Sequence, residues 1–90
     1  MHKSDLVSVV VGKTNLPKKD VEKTINEVFD SISDALSNGE KVQLIGFGTF
    51  ETRERKEREG RNPSTGETIK IPKATVPTFK PGKALKEKVD

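Results

Sequence analysis

The eighteen residues from Glu51 to Thr68 include no aliphatic, aromatic or sulfur-bearing side chain apart from the ring of Pro63, and that tract restricts the possible folds more than any other feature. A segment without greasy side chains cannot line a packed interior, because nothing in it gains by leaving water. It must be disordered, a solvated helix or an extended projection. The rest of the chain has little to spare. Only 30% of its 90 residues are apolar, against a usual share of about 45–50%. Small domains already bury too little surface to offset chain entropy comfortably. With no cysteine, neither disulfides nor a thiolate metal site can make up the shortfall. The expectation is one small domain over residues 1–90 that leans on a partner subunit.

Charge divides the chain unevenly. Residues 1–39 hold five Lys and six acids, a net of −1, while residues 40–90 hold 12 basic and 8 acidic residues, a net of +4. The opening apolar run is too short for a signal peptide and is preceded by Asp5. No stretch approaches the roughly 18 apolar residues of a membrane span. A soluble, cytoplasmic, basic protein is expected, without repeats or low-complexity tracts.

The first half reads as two helices. Val21, Ile25, Val28, Phe29, Ile32, Ala35 and Leu36 fall on one stripe of a 3.6-residue period. Pro17 suits the start of that helix and Asn38-Gly39 its end. Leu6 to Val11 is rich in β-branched residues and by propensity alone could be a buried strand. Ser4 as N-cap, Asp5 in the first turn and Asn15 as a left-handed terminal residue favour a helix of about three turns. Joined by Asn15-Leu16-Pro17, the two make a hairpin with an apolar inner face.

From Lys41 the pattern changes. Val42 and Leu44, then Gly46-Phe47-Gly48-Thr49-Phe50, predict a short strand, a glycine turn and a second strand. Beyond the polar tract, Ile69 and Ile71 alternate with Lys70, Val76 and Phe79 follow, and Pro81-Gly82-Lys83-Ala84-Leu85 opens a short helix. Asn62-Pro63-Ser64-Thr65-Gly66 has the chemistry of a hairpin loop. A ribbon from about Arg53 to Val76 would have limbs of roughly 12 residues, on the order of 40 Å. The rival is a solvated helix, since Glu51/Arg55, Glu54/Arg58 and Glu57/Arg61 are acid-to-base pairs at i, i+4. Gly60, Pro63 and the flanking strands favour the ribbon. An isolated two-stranded ribbon is marginal in water, so it is expected to be mobile until bound.

Arg53, Arg55, Arg58 and Arg61, with Lys70 and Lys73 on the return limb, offer donors suited to phosphate. A two-stranded ribbon also has the width of a DNA groove. Pro63 is rigid and has no N–H to strand, which suits either a plain turn or a wedge between base pairs. Other chemistry fails. Gly12-Lys13-Thr14 lacks the earlier glycine of a P-loop, because position 7 is Val7. Gly46-x-Gly48 is too short for a dinucleotide fingerprint, and His2 stands alone near a terminus. No nucleophile–base pair for a hydrolase can be placed.

Gly46-Phe47-Gly48-Thr49-Phe50, then Arg55, Arg58 and Gly60-Arg61-Asn62-Pro63-Ser64-Thr65-Gly66, then Phe79-Lys80-Pro81-Gly82-Lys83-Ala84-Leu85 resemble the bacterial histone-like HU family. The match runs in order over essentially the whole chain. Integration host factor subunits share the Arg-Asn-Pro tip, but the Lys80-to-Leu85 run is more similar to HU. The resemblance implies an α+β fold in an intertwined homodimer, with a helical base, an antiparallel β-sheet saddle and protruding β-ribbon arms. Residues 1–52 and 77–90 would form the dimerisation body and residues 53–76 the arm. Double-stranded DNA would be held in the minor groove, bent and compacted, with preference for nicked, kinked or flexible duplexes. HU is itself a standing example of wedge-inserting minor-groove binders, so that mechanism comes from the resemblance and not from spacing.

By the same resemblance, Pro63 intercalates, flanked by Arg61 and Asn62. Arg53, Arg55, Arg58, Lys70 and Lys73 contact DNA along the arm, and Lys3, Lys80, Lys83 and Lys86 contact it from the body. Phe29, Phe47, Phe50 and Phe79 would build the dimer interface. Lys83, next to the helix start at Pro81-Gly82, also favours an anion. No cofactor, metal, membrane, small-molecule substrate or enzymatic activity is implied, and the chain would sit in the nucleoid. A heterodimer with a paralogue stays open, as do two other readings. One is a sequence-preferring architectural protein like integration host factor, and the other is a dimeric module that docks an acidic protein partner. The chain departs from the family pattern at Glu57 and Glu59, where many members have small residues. These acids, with Glu54, either pair with arginines across the ribbon or repel phosphate, and weaker arm contacts are expected.

Overall fold

The computed structural model describes residues 1–90, which fall into two compact units, 1–34 and 35–90. The first holds α1 (Lys3–Thr14) and most of α2 (Lys18–Ser37). The N-cap of α1 is His2 and not Ser4, because the His2 backbone N–H donates to Asp5 Oδ2 at 2.7 Å. Asp5 thereby closes the first turn and sets a negative charge at the positive end of the helix, leaving Ser4 inside it. The other end is as expected. Asn15 takes φ 58°, and its N–H donates to the Val11 carbonyl at 2.9 Å. Capping at both ends outweighs the strand propensity of the valines. The Lys3 ammonium donates to Asn26 Oδ1 at 2.7 Å and so links α1 to α2.

The α2 helix begins just after Pro17, whose carbonyl accepts the Val21 N–H at 3.1 Å. It ends in a Schellman motif: Gly39 sits at φ 77°, its N–H on Leu36 O at 3.0 Å and the Glu40 N–H on Ala35 O at 2.9 Å. On the apolar stripe Val21 is buried and Ile25, Ile32, Ala35 and Leu36 are half-buried. Val28 and Phe29 lie exposed, at 50% and 47%.

The second unit holds β1 (Val42–Leu44), β2 (Gly48–Arg55), β3 (Arg58–Arg61), β4 (Thr68–Ile71), β5 (Ala74–Pro81) and α3 (Lys83–Val89). Strands β1, β2 and β5 form an antiparallel sheet in that order, and β3 and β4 form a hairpin. The tract from Arg53 to Glu59 is extended, so the i, i+4 ion pairs of the rival helix do not form. The β1–β2 turn is closed by the Phe47 N–H on Leu44 O at 2.9 Å, with Gly46 at φ 84°. Phe79 packs against Phe50 and Phe47, with ring centroids 4.8 and 5.5 Å apart. That cluster needs a glycine at position 48, since a Cβ there would stand 2.5 Å from the Phe79 ring and 2.7 Å from the Lys80 carbonyl. Pro77, opposite Thr52, and Pro81 lie in β5, an outer strand.

Two pairings share one register. β2 pairs with β5 from Gly48↔Pro81 to Arg55↔Ala74, and β3 with β4 from Arg58↔Ile71 to Arg61↔Thr68. Two residues on one limb, 56 and 57, face two on the other, 72 and 73, so the alignment carries across the break. Pro72 has no N–H to offer there. The ribbon is therefore one antiparallel pair with a short gap.

Val7 and Val21 are the only buried apolar residues of the 90. Replacing Gly48 with Ala should cost about 1–3 kcal/mol by overpacking. Gly12→Ala, in the last turn of α1 with open space around it, should gain up to about 1 kcal/mol. Urea unfolding of both variants at one protein concentration checks the pair.

Candidate nucleic-acid interface

Side chains alternate along a strand, so the shared register sorts the arm into two faces. One face carries Thr49, Glu51, Arg53, Arg55, Glu59 and Arg61 from the outgoing limb, with Lys80, Thr78, Val76, Ala74, Lys70 and Thr68 opposite. The other carries Phe50, Thr52, Glu54, Arg58 and Gly60, with Phe79, Pro77, Thr75, Ile71 and Ile69 opposite. Arg53, Arg55 and Arg61 thus share a face, while Arg58 stands on the reverse beside two isoleucines. Gly60 is narrow enough for Ile71 to cross the ribbon, since a Cβ there would lie 3.1 Å from Ile71 Cδ1.

Asn62 organises the tip. Its backbone N–H donates to Glu67 O at 2.7 Å, its carbonyl accepts the Gly66 N–H at 2.7 Å, and its Oδ1 accepts the Ser64 N–H at 2.9 Å. Thr65 Oγ1 accepts the Glu67 N–H at 3.3 Å, and Gly66 takes φ 74°. These bonds leave Pro63 exposed on a loop whose backbone N–H groups are already largely satisfied.

The acids of the arm pair with lysines and not with arginines. Glu57 meets Lys70 at 3.2 Å and Glu54 meets Lys73 at 3.6 Å, each diagonally across the ribbon and on either side of its gap. Arg53, Arg55, Arg58 and Arg61 take no part in any ion pair, and Glu59 is likewise unpaired. The lysines of the return limb stand diagonally opposite these acids, and four exposed guanidinium groups stay available. Exposed pairs of this kind contribute at most about 1 kcal/mol, so Lys70 and Lys73 are only loosely held.

At the root of the arm, Glu51 on the central strand accepts from Lys80 on β5 at 2.8 Å and from Lys41, just before β1, at 3.4 Å. Its side chain is 14% exposed. The hydrogen bond from Lys80 holds the carboxyl below its ordinary value, helped by the charges of both lysines and opposed by partial desolvation. Neither Lys41 nor Glu51 stands out in the sequence. The available signal was the β1–β2 hairpin itself, whose register, extended by one step, sets position 41 opposite 51.

The remaining predicted contacts are scattered. Lys83 pairs with Glu87 at 3.9 Å along α3, a seven-residue helix, and Lys86 lies exposed in its last turn. Lys3, at the start of α1, is already engaged with Asn26. Of the four phenylalanines, Phe47, Phe50 and Phe79 cluster, whereas Phe29 is on α2. No helix is long and apolar enough to cross a membrane.

A family model described as bacterial DNA-binding protein matches residues 1–90. DNA-binding protein HU 1 of Bacillus subtilis is 58% identical over 89 residues, covering 99% of this chain and 97% of that protein. DNA-binding protein HU of Lactococcus lactis is 60% identical over 88 residues, covering 98% and 97%. An Anabaena HU–DNA cocrystal structure superposes with a TM-score of 0.94 at 47% identity, covering 99% of this chain and 97% of that one. HU from Thermotoga maritima gives a TM-score of 0.71 at 38% identity, covering all of both.

The depressed carboxyl of Glu51 sets a pH dependence. Its contribution to stability is present above the unfolded value, near 4.5, and is lost as pH falls through the lower folded value. Glu51→Gln should therefore be less stable than the parent at pH 7, and the difference should shrink with acidification below about pH 4.5. Thermal melts across pH 2–7 at low salt check the trend.

Proposed function

This chain belongs to the bacterial DNA-binding protein family, and from that premise we propose that it is a non-enzymatic, HU-like architectural protein that binds and bends duplex DNA as a dimer. The observation that carries the reading is the arm: a ribbon in one register, interrupted by a short gap, with four unpaired arginines on its two faces. A ribbon lying in a groove meets phosphates on both sides, so cations on both faces are useful. Its relative in the Anabaena HU–DNA cocrystal structure, at a TM-score of 0.94, supports the same partner. Residues 53–76 are the arm and residues 1–52 and 77–90 the body. Lys80, Lys83, Lys86 and Lys3 add phosphate contacts from the body, and Lys70 and Lys73 do so once their glutamates release them. The protein works in the bacterial cytoplasm, on the nucleoid.

Dimerisation follows from the apolar deficit. Two buried apolar residues cannot hold a 90-residue chain together, yet Ile45 is 97% exposed and Phe29, Phe47 and Phe79 are 47%, 46% and 36% exposed. A second copy that covers the phenylalanines would complete the interior. Pro63 at the tip supplies a rigid apolar wedge, the established device of HU proteins. With phosphates dominating the contacts, sequence matters mainly through how easily the duplex deforms.

Gel shifts with intact and nicked duplexes across a salt series test this reading. Each neutralised phosphate contributes about −0.9 to the slope of log affinity against log salt, so Arg58→Ala or Arg61→Ala, which removes one contact from each arm of the dimer, should make it shallower by about twice that amount. No shift at low salt would favour an acidic protein partner instead. Pro63→Ala should reduce the bend measured by fluorescence transfer more than it reduces affinity, and an unchanged bend would refute the wedge. Glu57→Ala/Glu59→Ala should tighten low-salt binding by about threefold to tenfold, since it frees Lys70 and removes an unpaired charge.

A further inference from the structure

We propose that Glu51 is a positioning residue of the DNA-binding surface, fixing Lys41 and Lys80 on the sheet so that Lys41 joins Lys80 as a phosphate contact. This inference rests on the DNA-binding function proposed above. Glu51 lies on the central strand, and the two lysines come from the strands or strand approach on either side, so one carboxylate ties all three together. Each ammonium uses a different oxygen, Lys80 on Oε1 at 2.8 Å and Lys41 on Oε2 at 3.4 Å. The carboxylate is largely covered at 14% exposure, while the lysine side chains are 73% and 63% exposed. The anchor is underneath and the cations are outside. An ammonium has three N–H donors, so one bond to Glu51 leaves two for phosphate.

By register Glu51 and Lys80 share the face of Arg53, Arg55 and Arg61, which places the lysine pair in line with the arm's arginines. The arm pairs differ in kind. Glu54 and Glu57 are themselves 69% and 52% exposed, so they sit beside their lysines as competitors for phosphate. Glu51 exerts two opposed effects. Its charge repels phosphate, but two cations lie over it and screen that repulsion. Holding two long flexible side chains before DNA arrives removes ordering that binding would otherwise have to supply. The second effect outweighs the first because the carboxylate is covered and the lysine heads are not.

The decisive measurement is a double-mutant cycle on duplex affinity at fixed salt, with Glu51→Gln made in the parent and in a Lys41→Ala/Lys80→Ala background. Glu51→Gln should weaken binding threefold to tenfold in the parent, although it removes a negative charge, and should tighten binding or leave it unchanged in the lysine-free background, where nothing screens that charge. Tighter or unchanged binding in the parent would overturn the proposal and make Glu51 a simple competitor. An equal loss in both backgrounds would also overturn it, because the effect would then be structural. Melting temperatures of all four proteins report whether each is folded at the temperature used. A parent that binds no duplex would sink the DNA-binding function itself, an outcome distinct from a parent that binds while the cycle fails.

Discussion

Side chains on paired strands alternate, so the single alignment running from Gly48–Pro81 to Arg61–Thr68 decides which residues of the arm stand together. A slip of one residue would exchange the two faces and move Phe79 away from Phe50. The alignment is fixed at its base. The Phe79 ring lies over Gly48, where no side chain fits, and Glu51 ties a lysine on each flank. From that base the pairing is carried outward without correction. The charged arm thus inherits its geometry from an aromatic cluster and one largely covered carboxylate at its root.

The same economy explains why the body is incomplete. A chain that commits so many polar residues to a projection keeps few for an interior, and only Val7 and Val21 are buried. Phe47 and Phe79 are clustered with Phe50 yet still open to solvent, as half of a core would be. Folding and association are therefore one process in the proposed function, and the two arms of a dimer come from chains that are unstable apart.

Much of this was legible in the residues. The helix ends followed from Asn15 and from Asn38-Gly39, whose backbone conformations are local properties. The hairpin tip followed from Asn62, Pro63 and Gly66 for the same reason. The start of α1 was less legible. Ser4 and Asp5 are both competent to cap, and the choice of His2 as N-cap turned on a single bond to Asp5. Ion pairs were the least legible. Charges at i, i+4 pointed to Glu–Arg partners on a helix, but in an extended ribbon the partners are set by the opposite limb, which gives Glu54 and Glu57 to lysines. Glu51 and Lys41 were hidden in the same way, being neighbours only through strand pairing.

Pro77 and Pro81 fall on β5, whose far side pairs with no other strand of this chain. Proline is accommodated in such a strand only where its nitrogen is turned away from the neighbour, so both prolines break the outward row of donors. An unbroken row would template another strand and seed fibrous aggregation. This border denies a second copy of the chain a foothold, so two copies that meet along it do not fuse into a common sheet.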